Sequence, residues 1–294
     1  MKWEDLRRSS NIEDLRSASF SRATGSRGSL RLIIPIAKFL LRTKIGRVVL
    51  AIGVAVWFGA SFMGYDPLSL LDSAPTQQQS SYTSTKKDEK SAQFVSAVLA
   101  QTEDIWGKIF RENGAKYEEP KLVLFRNSVK SGCGHASSQT GPFYCSADQK
   151  VYLDLGFFDE LRSRHGAPGD FAQAYVIAHE IGHHIQNLTG TLTKSHNLKK
   201  RVSKTKANAV QVQVELQADC YAGIWAHYLN GVLEDGDINE ALNAASAIGD
   251  DTLQKQAQGY VVPDAFTHGS SAERVKWFKR GYVGGKLNSC QTGI

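Results

Sequence analysis

Residues 179–183 read His-Glu-Ile-Gly-His. On a helix the two histidines fall at i and i+4, on one face and about one turn apart, so both imidazoles can grip a single zinc ion. Glu180 then stands beside the metal's open position, where a general base for an activated water belongs. Farther along, Glu215 and Asp219 are again four apart. Two carboxylates on adjacent turns of one helix repel each other by about 0.2–0.5 kcal/mol. A cation, or a histidine in need of an orienting partner, removes that cost.

These groups need helices to hold them. Asp170 with Gln173 has the form of a capping box, and Gly190 sits where a helix stops. Between them Phe171, Ala174, Tyr175, Ala178, Ile181, Gly182 and Ile185 recur at steps of three and four, which predicts an amphipathic helix. A second helix is expected from about Ala207 to Leu229, ending at Asn230-Gly231, with Ala218, Cys220, Tyr221, Ala222, Ile224 and Trp225 crowding the two carboxylates. His184 points elsewhere on its helix. Strand signals fall at 121–125 and 150–155, with 142–144 as a possible third. Helices expected at 92–111 and 237–258, the latter with Asp237 and Glu240 as capping signals, complete an α+β domain.

The chain has 294 residues and a formal charge of +6. Val48 to Tyr65 contains no charged residue and is just long enough to cross a bilayer with a tilt. Arg42, Lys44 and Arg47 precede it while Asp66 and Asp72 follow, so the positive-inside rule puts the N-terminus in the cytoplasm and the rest outside. The long stretch before residue 48, and the lack of an A-x-A-like site after Tyr65, argue against a cleaved signal peptide. Residues 30–41, interrupted by Arg31, Pro35 and Lys38, suit a membrane surface better than a second span. The expected layout is a basic cytoplasmic region at 1–47, a transmembrane helix at 48–65, a flexible Ser/Thr/Gln-rich linker at 66–91 and a catalytic domain at 92–294. The basic balance comes largely from the N-terminal region and fits anionic lipid headgroups; no pattern for nucleic acid is present.

Cys133 and Cys145 bracket a Gly-rich stretch without zinc-finger spacing. In an oxidising compartment they would close a short loop, contributing about 3 kcal/mol on the chain-entropy model. Cys220 either pairs with Cys290 or packs as a small apolar residue. The spacing alone decides neither pair.

The H-E-x-x-H followed by E-x-x-x-D resembles the gluzincin metallopeptidases. Beyond the motif, the chain resembles the bacterial membrane-anchored family of neutral zinc metallopeptidases. The resemblance rests on Gly132-Cys133-Gly134, 141–145, 151–155, 176–180, 215–220, 247–251 and 266–269, together with Trp3 and 11–14, and so covers essentially the whole chain. It implies one zinc per chain held by His179, His183 and Glu215, with Asp219 accepting a hydrogen bond from a ligating histidine. It implies a zincin-like α+β fold whose sheet edge pairs with substrate backbone; Gly141, Phe143 and Tyr144 are the candidates, unless that stretch is only a disulfide-closed surface hairpin. Thr267-His268 with Arg274 is loosely similar to the T-H-P-x4-R element of the CAAX-prenyl-protease and heat-shock membrane protease group, Gly269 replacing the proline. That likeness would make His268 an oxyanion donor contributing on the order of 3 kcal/mol. The alternative is a histidine capping a helix that begins near Ser270, with Arg274 paired for structure.

The expected function is therefore a zinc peptidase anchored by a single pass in the bacterial inner membrane, its catalytic domain extracytoplasmic, acting on protein or peptide with Glu180 as general base. A non-catalytic zinc-containing assembly module and a hydrolase of a non-peptide amide are the competing readings.

Overall fold

Alternation along strands β2 (Lys121–Phe125) and β6 (Lys150–Asp154) sends Leu122, Leu124, Val151 and Leu153 to one face and Val123, Phe125 and Tyr152 to the other. The computed structural model, which describes residues 1–18 and 84–294, buries both faces. β1 (Ile12–Asp14) and β6 run parallel to β2, and β5 (Phe143–Cys145) runs antiparallel to β6, giving the order β1-β2-β6-β5. A hairpin of β3 (Ser128–Ser131) and β4 (Gly134–Ser137) covers the second face with Val129 and Ala136. The Cys133–Cys145 disulfide ties the hairpin's turn to β5.

The first face packs on helices. α1 (Lys86–Glu112) starts with a capping box between Thr85 and Asp88 and buries Phe94, Val98, Ile105 and Trp106. Beyond it lie α2 (Gly156–Ser163), α3 (Asp170–Leu188), α4 (Thr191–Lys199), α5 (Lys204–His227), α6 (Asp237–Ala247), α7 (Asp250–Gln258) and α8 (Ser271–Gly284). α3 and α5 touch backbone to backbone: a Cβ on Gly182 would lie 2.9 Å from the Ala218 carbonyl oxygen and 3.0 Å from its Cα. α8 crosses α5 as closely, and a Cβ on Gly281 would come within 1.9 Å of the Cys220 carbonyl oxygen. The Cys220–Cys290 disulfide closes that side.

Four differences from the sequence reading have physical causes. Residues 1–18 are not part of a region separate from the catalytic domain; they supply β1 and bury Met1 and Trp3 in the core. The folded body resumes before Ala92, because the Thr85 cap lets α1 begin at Lys86. No capping box joins Asp170 and Gln173: Gly169, at φ 117°, is the N-cap, and Glu240 reaches across from α6 to accept the Phe171 N–H at 3.0 Å. Asp170 instead receives the Met1 amino group at 2.8 Å. The predicted helix at 237–258 breaks at Ile248-Gly249, where any Cβ on Gly249 would meet the Ser271 nitrogen at 2.4 Å. The apolar run 48–65, residues 30–41 and the linker up to residue 83 lie outside the described residues. Among the described residues no helix is long and apolar enough to cross a membrane.

Candidate metal centre

The crossing of α3 and α5 at Gly182 brings the predicted groups together. The Glu215 Oε2 lies 3.2 Å from His179 Nε2 and 3.3 Å from His183 Nε2. These three atoms lie within 4.8 Å of one another. Donors at about 2.0–2.2 Å from a tetrahedral zinc are separated by about 3.3–3.5 Å, which the Glu215 oxygen's distances to both nitrogens match. His179 and Glu215 are buried, and His183 is partly open.

Each donor is also held from behind. His179 donates its Nδ1–H to Asp219 Oδ1 at 2.8 Å, which leaves Nε2 free to ligate. Asp219, fully buried, further accepts the Tyr175 hydroxyl at 2.5 Å and the Arg274 guanidinium at 2.9 and 3.0 Å. Glu215 Oε1 accepts the Gln211 amide at 2.7 Å, and Lys199 donates to that amide's oxygen at 2.5 Å. His183 donates its Nδ1–H to Gln186 Oε1 at 2.9 Å. Gln186, itself buried, is fixed by Val214 O and by Gln217, whose own amide donates to the Cys290 carbonyl.

Tyr175, Gln186 and Gln211 escaped the sequence reading. Their spacing was a usable signal: Tyr175 is four before His179, Gln186 three after His183 and Gln211 four before Glu215, so each shares its ligand's helix face. Gln186→Leu keeps the volume and removes the acceptor from His183. Zinc affinity should fall about 10- to 100-fold, the range usual for such outer partners. Competition against a chromophoric chelator reads this directly, and an unchanged constant would leave Gln186 a packing residue.

Charge in the metal-free site is tightly coupled. Burial opposes the charged ring of His179, but Asp219 and Glu215 outweigh it and hold its pKa up at about 9. His183 is raised in the same way, burial again opposing and Glu215 prevailing. Burial would raise both carboxylates, yet His183 and His179 hold Glu215 well below its ordinary value, and Arg274 and His179 hold Asp219 at about 2. A raised His179 stabilises the fold fully below its unfolded value of 6.5, and that stabilisation is lost as pH climbs through about 9. A depressed Asp219 stabilises above 3.8 and loses its effect as pH falls through about 2. Metal-free protein should therefore melt highest between about pH 4 and 6.5 and progressively lower toward pH 9. Thermal melts in chelator across that range test the sign, and a profile that rises toward pH 9 would contradict it.

The donors open on a cleft of ≈ 910 Å³. Glu180 lines it beside them, as do Gly141, Phe143 and Tyr144. β5 carries no further strand on its outer side among the described residues, so the candidate edge lies at the cleft wall and is also disulfide-linked through Cys145. His184 faces away, its ring between the Glu118 carbonyl at 2.6 Å and the Tyr144 hydroxyl at 3.1 Å, and burial lowers its pKa. His268 also lines the cleft, with its ring 3.3 Å from Asp250 Oδ1. Asp250 also accepts the backbone N–H groups of Thr267, His268 and Gly269. His268 does not cap α8: Ser270 does, in a capping box with Glu273.

Two histidines and one glutamate on crossing helices, with a carboxylate beside them and a sheet edge along the cleft, form a donor set suited to zinc with one position left open. The chain belongs to the family described as "Putative neutral zinc metallopeptidase", whose model matches residues 1–293. It is 46% identical to the uncharacterized protein YpfJ of Escherichia coli (strain K12), over 99% of this chain and 98% of that one. It is 37% identical to the uncharacterized protein Rv2575 of Mycobacterium tuberculosis (strain ATCC 25618 / H37Rv), over 79% of this chain and 84% of that one. No solved structure matches the chain.

Proposed function

We propose that this chain is a zinc-dependent peptidase acting on extended peptide in an oxidising compartment at the bacterial inner membrane. The observation that carries the reading is the convergence of His179, His183 and Glu215 on one point of a cleft that Glu180 and the edge of β5 also line. When bound, zinc supplies Lewis acidity, acidifying water and polarising a carbonyl. The protein's own groups do the rest. The β5 edge offers unpaired backbone groups to which a substrate strand can add, fixing the scissile bond by main-chain hydrogen bonds. Glu180 takes a proton from the attacking water and returns it to the departing amine, so atoms and charge balance over one turnover. His268, held by Asp250 and lining the same cleft, offers a donor to the developing oxyanion. Tyr175, Arg274, Gln186 and Gln211 keep the donors aligned.

The two paired cysteine couples suit an oxidising environment. A closed structural zinc site usually has four protein donors, frequently cysteines; here three converge beside an open cleft, which favours catalysis over a purely structural metal. Full-length protein, stripped by chelator and reloaded with zinc, should regain hydrolysis of an unfolded protein such as casein at about one zinc per chain. Zinc-loaded protein that cleaves cell-wall fragments and not peptides would move the assignment to a non-peptide amide. Cleavage of neither would remove the catalytic reading.

A further inference from the structure

β1 belongs to the first eighteen residues, yet it is a structural strand of the body that resumes after residue 83. It pairs with β2 in parallel register, Ile12 with Leu122, Glu13 with Val123 and Asp14 with Leu124. The attachment extends along the whole segment. Lys2 donates its N–H to Val232 O at 2.8 Å, and Ser9 donates to Ser96 O at 3.1 Å. Ser9 and Asn11 also donate to Glu103, a buried carboxylate on α1. Trp3 packs edge-on against Phe94 with ring centroids 5.5 Å apart. Met1 and Trp3 are both buried in the core, which ties the segment down by apolar burial as well as by hydrogen bonds. The departure and return points also meet: Arg16 donates to the Ser84 hydroxyl at 3.2 Å and pairs with Glu89 at 3.1 Å.

Two segments of one sheet cannot face opposite sides of a membrane. We infer that residues 1–18 and 84–294 lie in the same compartment. This replaces the single-pass topology with a cytoplasmic N-terminus expected from the uncharged run at 48–65. The positive-inside rule weighs charges near a span and takes no account of a strand that must return to its sheet. Once β1 is docked, the sheet's hydrogen bonds and Trp3 oppose the separation that a single pass would need.

Accessibility of single added cysteines to a membrane-impermeant maleimide tests the inference in spheroplasts of cells making the full chain. The four native cysteines are paired and give the baseline. Asp5→Cys reports the N-terminal segment and Lys279→Cys the main body, both at exposed positions. The two should behave alike, both labelled or both protected until the membrane is permeabilised. Labelling of Lys279→Cys with Asp5→Cys protected, or the reverse, overturns the inference. Should Asp5→Cys fail to accumulate, Ser10→Cys, also exposed, reads the same segment.

Discussion

Glu180→Gln should bind zinc as tightly as the wild-type chain and lose peptide hydrolysis by about 10²- to 10⁴-fold, the usual contribution of a positioned acid–base group. The substitution is nearly isosteric, so the packing of α3, where this side chain is 7% exposed, stays as it is. What changes is the capacity to take a proton, because an amide oxygen at neutral pH holds none. His179 and His183 keep their own partners, Asp219 and Gln186, neither of which depends on residue 180. The loss should therefore appear in kcat, with zinc content by atomic emission unchanged. A variant that remains active would sink the proton-transfer role, whereas one that loses zinc would make Glu180 a ligand.

Glu215→Ala should have the opposite signature, with the metal lost first. Among the described residues, Oε2 of Glu215 is the one anionic atom within 3.3 Å of both histidine Nε2 atoms. Removing it leaves two neutral donors, and zinc affinity should fall by at least about 100-fold, beyond the 10–100-fold typical of outer partners. The metal-free protein should weaken as well. Removing one partner of a buried ion pair typically costs about 3–5 kcal/mol, and His183, whose pKa this carboxylate raises against burial, would lose its anionic partner while His179 keeps Asp219. Chelator competition gives the first number and denaturant melts of stripped protein the second. Wild-type affinity with normal folding would remove Glu215 from the metal's coordination.

Helical period made each pair legible in the sequence, while the choice of Glu215 as third donor came from the family resemblance. His179 with His183, and Glu215 with Asp219, are each four apart, so forming the two helices already aims each pair. Strands β2 and β6 were legible as short runs rich in β-branched, aromatic and other apolar residues, which suits strands buried on both faces. Other features depend on partners far away in the chain. The break at Gly249 lies where α8 packs against it, and the helix expected at 237–258 passes over the Gly249-Asp250-Asp251 signal that accompanies it. β1 spans only three residues, one of them apolar, too short for any period, and it sits among arginines that suggest a cytoplasmic tail. The N-terminus of α3 is capped by Glu240 from a later helix, so the local Asp170/Gln173 pattern named the wrong group. Asp219's grip on Arg274 likewise joins residues 55 apart, where spacing carries no information.

The contact at Gly182 has a bearing on how such a chain can change over time. Where two helices meet through side chains, exchanging a leucine for an isoleucine nudges their separation. Here the closest approach is glycine against backbone, and the ligands of the two helices flank it. Their spacing is thus written in the main chain, insulated from drift among the large residues of the core. Volume-conserving exchanges elsewhere in the core leave this contact untouched, whereas one methyl group added at position 182 would meet the Ala218 backbone and wedge the two ligand-bearing helices apart.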